Sequence, residues 1–276
     1  MAEEVVAGVR ELEHGPGVAV WAAALPGAGI ECFHALAVQT EEGVTVAGFP
    51  ELDDPGLVTL FVDPFSFPAE AFLARLNEEH EQIPLVGGIA GGGRRSGTQA
   101  LILDDAVRGE GAVCRPIGGE AVITRCQGDE YNTGDYLMRG PLGLDETSGA
   151  LALGDTVRVG QTLRFFVRDA ASADADLRRA LAGALRQERS AGALLFTCNG
   201  RGTQMFPEPD HDARIVAAAL RTQALAGFCG GEIGPVGGKA FLHGFTATWP
   251  SSSSAKTLRQ PSARPRPRTS WSSARG

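Results

Sequence analysis

The sequence predicts a protein of α/β to mixed α+β class, with two related halves in mixed sheets flanked by helices. Each half reads as strand, helix, strand, glycine loop, strand. Two further observations support that reading. Short apolar runs of strand composition alternate with segments whose apolar residues recur at helical spacing. The 37 glycines follow no collagen-like period and gather where those runs end.

The first complete unit opens on the strand Leu57–Val62. A helix follows, with Pro68 suited to its first turn and Phe72, Leu73 and Leu76 on one face. Leu85 to Gly93 is a strand dissolving into glycines, and Ala100–Asp104 closes the unit. The second unit repeats the order. Its strand Ala193–Cys198 runs into Asn199-Gly200-Arg201-Gly202, and a helix is expected over Asp212–Leu225. Gly227 to Gly234 is its glycine turn and Ala240–Thr246 its closing strand. Ala7 to Gly15, with a strand Val18–Ala22, resembles only the last third of a unit, so the chain is expected to start inside a repeat. The first domain, 1–133, then lacks its first strand, helix and strand; the second spans 134–249. Strands Gly111–Pro116, Glu120–Arg125 and Val157–Val167 (interrupted by Gly160) lie between the units. Ser172 is expected to cap a helix carrying Leu177, Leu181, Ala184 and Leu185 on its apolar side.

Charge and composition exclude several function classes. Residues 250–276 hold six basic and no acidic residues, so the net charge of −8 hides a body of −14. That body is a poor nucleic-acid binder, and the Ser/Pro/Arg tail has the composition of a disordered segment. No run of 18 apolar residues suggests a membrane span, and the acidic start lacks a secretory pattern. Five cysteines without a CxxC pair suit free thiols in a reducing cytoplasm.

Dinucleotide-loop and phosphate-loop spacings fail at every glycine cluster. Cys198 and Cys229 stand at strand ends, where α/β proteins place ligand-contacting atoms. They read as packing residues, pocket lining or, in the enzymatic alternative, a thiol nucleophile. Two glycines flank Arg201 directly after a strand, so backbone N–H groups and a guanidinium could converge on a carboxylate or phosphate. A tight turn with a solvated arginine is the plain alternative. Glu232, between Gly231 and Ile233, would take an amine. Arg201 and Glu232 together suggest a zwitterion site lined by Cys198, Asn199, Gly200, Gly202, Cys229, Gly230 and Gly231, unless a buried bridge between the two consumes both charges. His243 or His211 would carry a haem only if the protein binds one. No cluster suits another metal.

Three blocks in this order resemble the C-terminal FIST domain (F-box and intracellular signal transduction): Phe196 to Gly202, Gly227 to Pro235, and Leu242 to Thr246. The upstream part, with Gly17 to Ala23 and Leu57 to Asp104, is similar to the N-terminal FIST domain. The resemblance implies a bacterial cytoplasmic sensory module that binds a small, amino-acid-like or other anionic ligand. Without an attached output domain, it would signal through a separate partner such as a histidine kinase. It implies no catalytic residue and no obligatory cofactor. Haem-based gas sensing, a cysteine enzyme and a protein-interaction scaffold remain the alternatives.

Overall fold

The computed structural model describes residues 4–23, 29–41, 43–52, 55–80, 82–117, 122–123, 137, 139–161, 163, 165, 168–184, 190–222, 225–244, 247–248, 250–253 and 271–272. The first half contains β1 (Glu4–Ala7), β2 (Arg10–Leu12), β3 (Phe33–Thr40), β4 (Gly43–Ala47), β5 (Leu57–Val62), α1 (Ala69–Glu79) and β6 (Leu85–Ile89). Then come β7 (Leu101–Leu103), β8 (Ala106–Arg108), β9 (Ala112–Ile117), β10 (Val122–Ile123), β11 (Pro141–Asp145) and β12 (Ala150–Leu153). The second half has α2 (Ala170–Ala184), β13 (Ser190–Cys198), α3 (Gly202–Met205), α4 (His211–Leu220) and β14 (Leu225–Gly230). It closes with β15 (Glu232–Val236), β16 (Lys239–His243), β17 (Ala247–Thr248), β18 (Pro250–Ser253) and β19 (Trp271–Ser272).

These elements form two large mixed sheets, as the α/β expectation requires. One runs β10-β18-β13-β14-β1-β2, with β17 also on β13; the other runs β16-β15-β6-β5-β9-β3-β4-β19. Each is centred on a parallel pair, β13 with β14 and β5 with β6. The repeat is exact in register. Gly87 lies opposite Leu60 and Gly227 opposite Leu195. A Cβ at either glycine would collide with that leucine's carbonyl oxygen. The bare backbone therefore lets the paired strands approach at the same place in both halves.

The closing hairpins are exchanged. β1–β2 packs antiparallel on β14 of the second half, with Val6 opposite Gly227. β15–β16 packs antiparallel on β6 of the first half, with Ile233 opposite Gly87. The chain thus leaves one sheet at Gly230 and enters the other at Glu232. Contiguous units, as the sequence order suggests, would keep each hairpin at home. Here the apolar side of β15–β16, Ile233 and Ala240, completes the core of α1, Leu60, Leu73 and Leu85. Val6 joins the core beneath α2 and α4 with Leu177, Leu181, Leu195 and Val216. Phe196, Leu57 and Val86 fill the space between the sheets, with the Phe61 and Phe196 rings 5.9 Å apart.

Several local expectations are corrected. Residues 16–23 form no strand: Val18 and Val20 are 89% and 86% exposed and pair with no strand among the described residues. The described residues from Val157 to Phe165 form no strand either; Gln161 N–H donates to the Arg158 carbonyl at 3.2 Å, closing a turn at Val159-Gly160. Asp169, not Ser172, caps α2 by accepting the Ser172 N–H at 2.9 Å. Helix α4 stops at Leu220 because Arg221 adopts a left-handed φ of 52°. Residues 250–253 of the expected disordered tail form a strand between β10 and β13, and 271–272 one on β4. The expected boundary at 133/134 lies outside the described residues, as do Glu120, Ala121, Thr124 and Arg125 of the expected strand Glu120–Arg125, of which Val122 and Ile123 form β10.

Gly87→Ala and Gly227→Ala should each cost about 2–4 kcal/mol in urea unfolding, because backbone must shift to admit the methyl group. Gly140→Ala, with no atom within 4 Å of the added carbon, should stay within about 0.5 kcal/mol of the parent.

Candidate functional site

The carboxyl ends of each parallel pair face the N-terminus of the helix that follows, where open α/β sheets form ligand crevices. The repeat therefore builds two such places, and their side chains differ.

In the second half the place is filled from within. Arg201 is 5% exposed and meets Asp212 twice, Nε–Oδ2 at 2.5 Å and Nη2–Oδ1 at 2.9 Å. Its guanidinium also lies 5.4 Å from the centre of the Phe206 ring. Burial alone would lower the Arg201 pKa, but the Asp212 hydrogen bonds and charge, with Glu232 and Cys198 adding, hold it above its ordinary value. Burial would raise Asp212, and the bonds from His211 and Arg201 outweigh it, so its carboxyl stays low. His211 stacks on Phe206 at 3.5 Å and directs its two ring nitrogens at Asp212 (2.8 Å) and Asp174 (3.0 Å).

The glycine turn does hold a carboxylate, but one from the chain itself. Glu13 accepts the Thr203 N–H at 2.9 Å and its hydroxyl at 2.6 Å, occupying the space that a Gly202 side chain would need. Two residues earlier on the same hairpin, Glu11 accepts the Ala213 N–H in the first turn of α4 at 2.7 Å. Burial pushes the Glu11 carboxyl up to about 7, against the Ala213 hydrogen bond and with help from Asp212, Glu13 and Asp210.

Of the residues expected to form a zwitterion site, the structure brings Cys198, Asn199, Gly200, Arg201, Gly202, Gly231 and Glu232 to one end of the sheets. Cys198 is buried, and its Sγ accepts the Gly200 N–H at 3.4 Å. Glu232 is fully enclosed opposite His243. Arg201 is not the open cation expected, because Asp212 holds it. Asp212, Glu11 and Glu13 were missed; the signal was an acid at the first residue of the predicted helix and acids at alternate positions of the first hairpin. The side chain of Cys229 and the surroundings of Gly230 lie outside the described residues. His211 is not available as a base for Cys198, since carboxylates take both its nitrogens. It does not fit a haem iron for the same reason. His243 is buried, its Nε2 donates to the Gly234 carbonyl at 3.1 Å, its Nδ1 has no hydrogen-bond partner, and burial holds it below the ordinary imidazole range. No group of metal-ligating residues occurs among the described residues.

In the first half the equivalent place is an open crevice of about 600 Å³. The first turn of α1 (Ala69, Glu70, Ala71) faces Ile89, Gly231 and Leu242 across it. No side chain caps α1. The register explains why. Leu242 sits opposite Ile233, as Glu11 sits opposite Val6, so the position that sends a carboxylate to α4 carries an apolar side chain at α1. Arg139 stands nearby, bound to Asp155 at 2.8 Å, 3.7 Å from Glu70 and donating to the Leu242 carbonyl at 3.3 Å.

Known proteins place the chain. A FIST N domain matches residues 2–114 and a FIST C domain residues 105–235. The uncharacterized protein Rv0628c of Mycobacterium tuberculosis is 38% identical over 312 residues, covering 90% of this chain and 81% of its own length. The uncharacterized protein Mb0898c of Mycobacterium bovis is 35% identical over 90% of this chain and 80% of its own. The chain belongs to the FIST family. FIST domains are sensory domains of signal transduction. Among the described residues no helix is long and apolar enough to cross a membrane. The FIST pair shares one seam at Gly231, and the open crevice lies on its FIST N side. The aligned 312 positions exceed the 276 residues of this chain, so the mycobacterial FIST relative holds residues inside the aligned region that have no counterpart here.

Arg201→Ala should destabilise the protein by about 3–5 kcal/mol in urea unfolding, because it strands Asp212 in the interior. Glu11 gives a pH signature. Its folded pKa lies above the ordinary 4.5, so the fold prefers the protonated acid and loses stability as pH rises from there through about 7. Glu11→Gln keeps an acceptor for Ala213 without the charge. Its melting temperature should exceed the parent's at pH 8, by an amount worth about 1–2 kcal/mol, and the gain should fade by pH 4.

Proposed function

We propose that this FIST protein senses a small carboxylate, of amino-acid-like size, in the crevice between α1 and β16. One observation carries the reading: where the second half binds its own Glu11 carboxylate at a helix N-terminus, the first half presents the same geometry with the carboxylate missing. Ala69 donates to the Phe67 carbonyl at 2.9 Å, so it is the Glu70 and Ala71 amides of the first α1 turn that attract an anion, through their N–H groups and the helix dipole. Arg139, at the edge of the crevice, is already bound by Asp155 at 2.8 Å and adds only a shared positive charge. The lining of Phe67, Pro68, Ile89 and Leu242 suits an apolar body behind the carboxylate, and Glu70 suits an amine on the same ligand. Two or three charged contacts of roughly 1.5–3 kcal/mol each support micromolar affinity after association costs.

Gly231 links the crevice to the seam. A ligand that draws α1 toward β16 favours one arrangement of the two sheets, and a separate signalling protein such as a histidine kinase reads that state. The ligand need only bind one arrangement more tightly than the other.

A thermal-shift panel of small carboxylates and amino acids tests the site. At least one compound should raise the melting temperature of the parent. Leu242→Glu, which supplies the missing internal acid, and Ala71→Trp, which fills the crevice, should both abolish that response. A silent panel, or an unchanged response in both variants, contradicts the reading.

A further inference from the structure

A second cavity has a chemistry of its own. It encloses about 340 Å³ between Ala37, Gln39 and Val44 of the hairpin β3–β4 and the loop Pro64–Pro68, and it shares Pro64, Phe67 and Pro68 with the crevice as a common wall. That loop follows β5 and is pinned by its backbone. The Asp63 N–H donates to the Gly111 carbonyl at 2.9 Å, and the Phe67 N–H donates to the Asp63 carbonyl at 3.2 Å. Half-buried Ser66 lines the cavity; its hydroxyl donates to Asp63 Oδ2 and accepts the Gly111 N–H at 2.8 Å. Asp63 is fully buried behind it. The Asp63 Oδ1 has no hydrogen-bond partner, and no cation pairs with this carboxylate among the described residues.

A serine hydroxyl ordinarily donates or accepts as a ligand requires, because its proton rotates. Here Asp63 holds the proton and the Gly111 amide takes one lone pair, so Ser66 offers the cavity only an acceptor. A buried carboxylate without a cation lies directly behind that acceptor, where solvent screens it little. A ligand that brings both a donor and a positive charge answers both groups at once. The rings of Phe65 and Phe67 line the same space, and aromatic faces attract cations and apolar bodies alike. We infer that this cavity binds a small organic ammonium, which donates to Ser66 Oγ and lays its hydrocarbon part against Phe65 and Pro64. Ser66 is the contact. Asp63 is a positioning residue: it fixes the hydroxyl proton and supplies the charge without touching the ligand.

The test titrates the full chain with phenethylammonium and with its neutral match, 2-phenylethanol. Phenethylammonium should bind one-to-one with a Kd of about 1 mM or tighter, and the alcohol at least tenfold more weakly. Ser66→Thr keeps the hydroxyl and should keep that preference, whereas Ser66→Ala should lose it. Asp63→Asn should bring the two compounds to within about twofold of each other, while a packing defect alone would weaken both equally. If Asp63→Asn does not fold, the Ser66 pair decides. Ala71→Trp fills the crevice and should leave ammonium binding unchanged, which separates this site from the carboxylate site. Four outcomes overturn the inference: no binding by the parent, equal binding of ammonium and alcohol, a preference that survives Ser66→Ala, or loss of binding in Ala71→Trp, which would put the ammonium beside Glu70.

Discussion

The continuous path from β14 through Gly231 into β15 is the constraint on which the rest depends. One stretch of backbone completes the parallel pair of the second half and then the antiparallel edge of the first. Neither sheet can be finished without the other, because each receives its closing hairpin from the opposite half. The two glycines that sit over leucine carbonyls are the local expression of this requirement. A side chain there would hold the strands apart just where Val6 and Ile233 must enter. The aromatic packing of Phe61 on Phe196 then fixes the spacing between the sheets.

Exchange also explains why two copies of one design differ in chemistry. Each helix N-terminus is faced by a hairpin that belongs in sequence to the other half. The hairpin on the second half brings Glu11 to the Ala213 amide and Glu13 to Thr203, while Asp212 holds the Arg201 guanidinium. That arrangement fixes structure: the Ala213 and Thr203 amides and Arg201 Nε and Nη2 already have internal acceptors, and opening it would expose a buried ion pair. The hairpin on the first half brings Leu242, which asks nothing of α1 and leaves the Glu70 and Ala71 amides to solvent or to a ligand. A sensory crevice needs such unmet groups, since only they give a ligand differential affinity for one state of the protein.

Much of the architecture was legible in the sequence. The strands β5, β6 and β13 and helix α1 follow from apolar runs bounded by glycine, and the repeat of their order was visible. The expected glycine turn Gly227–Gly234 is instead the end of β14 and the start of β15, because a backbone bare of side chains still pairs in register with its neighbours. Arg201 follows directly on β13, as the sequence reading had it. Its surroundings were not readable, because Asp212 reaches Arg201 only after the turn through α3, and Glu13 arrives from a hairpin 190 residues earlier. Local pattern also cannot show exchange: a hairpin has the same alternation whichever sheet it joins. The described residues of 16–23 and 157–165 have strand periodicity without a strand partner among the described residues, and the turn at Arg158–Gln161 is not visible in that periodicity. The identity of the helix caps failed for a smaller reason, since Asp169 and Ser172 are both competent and only geometry chose between them.

Exchange of the closing hairpins is tested most directly by through-space backbone NMR contacts in the monomer. The account predicts that Val6 lies against Gly227 and Ile233 against Gly87, with contacts crossing between the halves in both directions. If Ile233 instead found its cross-strand neighbours within 190–230, the hairpins would be at home. The difference between a filled and an open crevice would then have no structural cause.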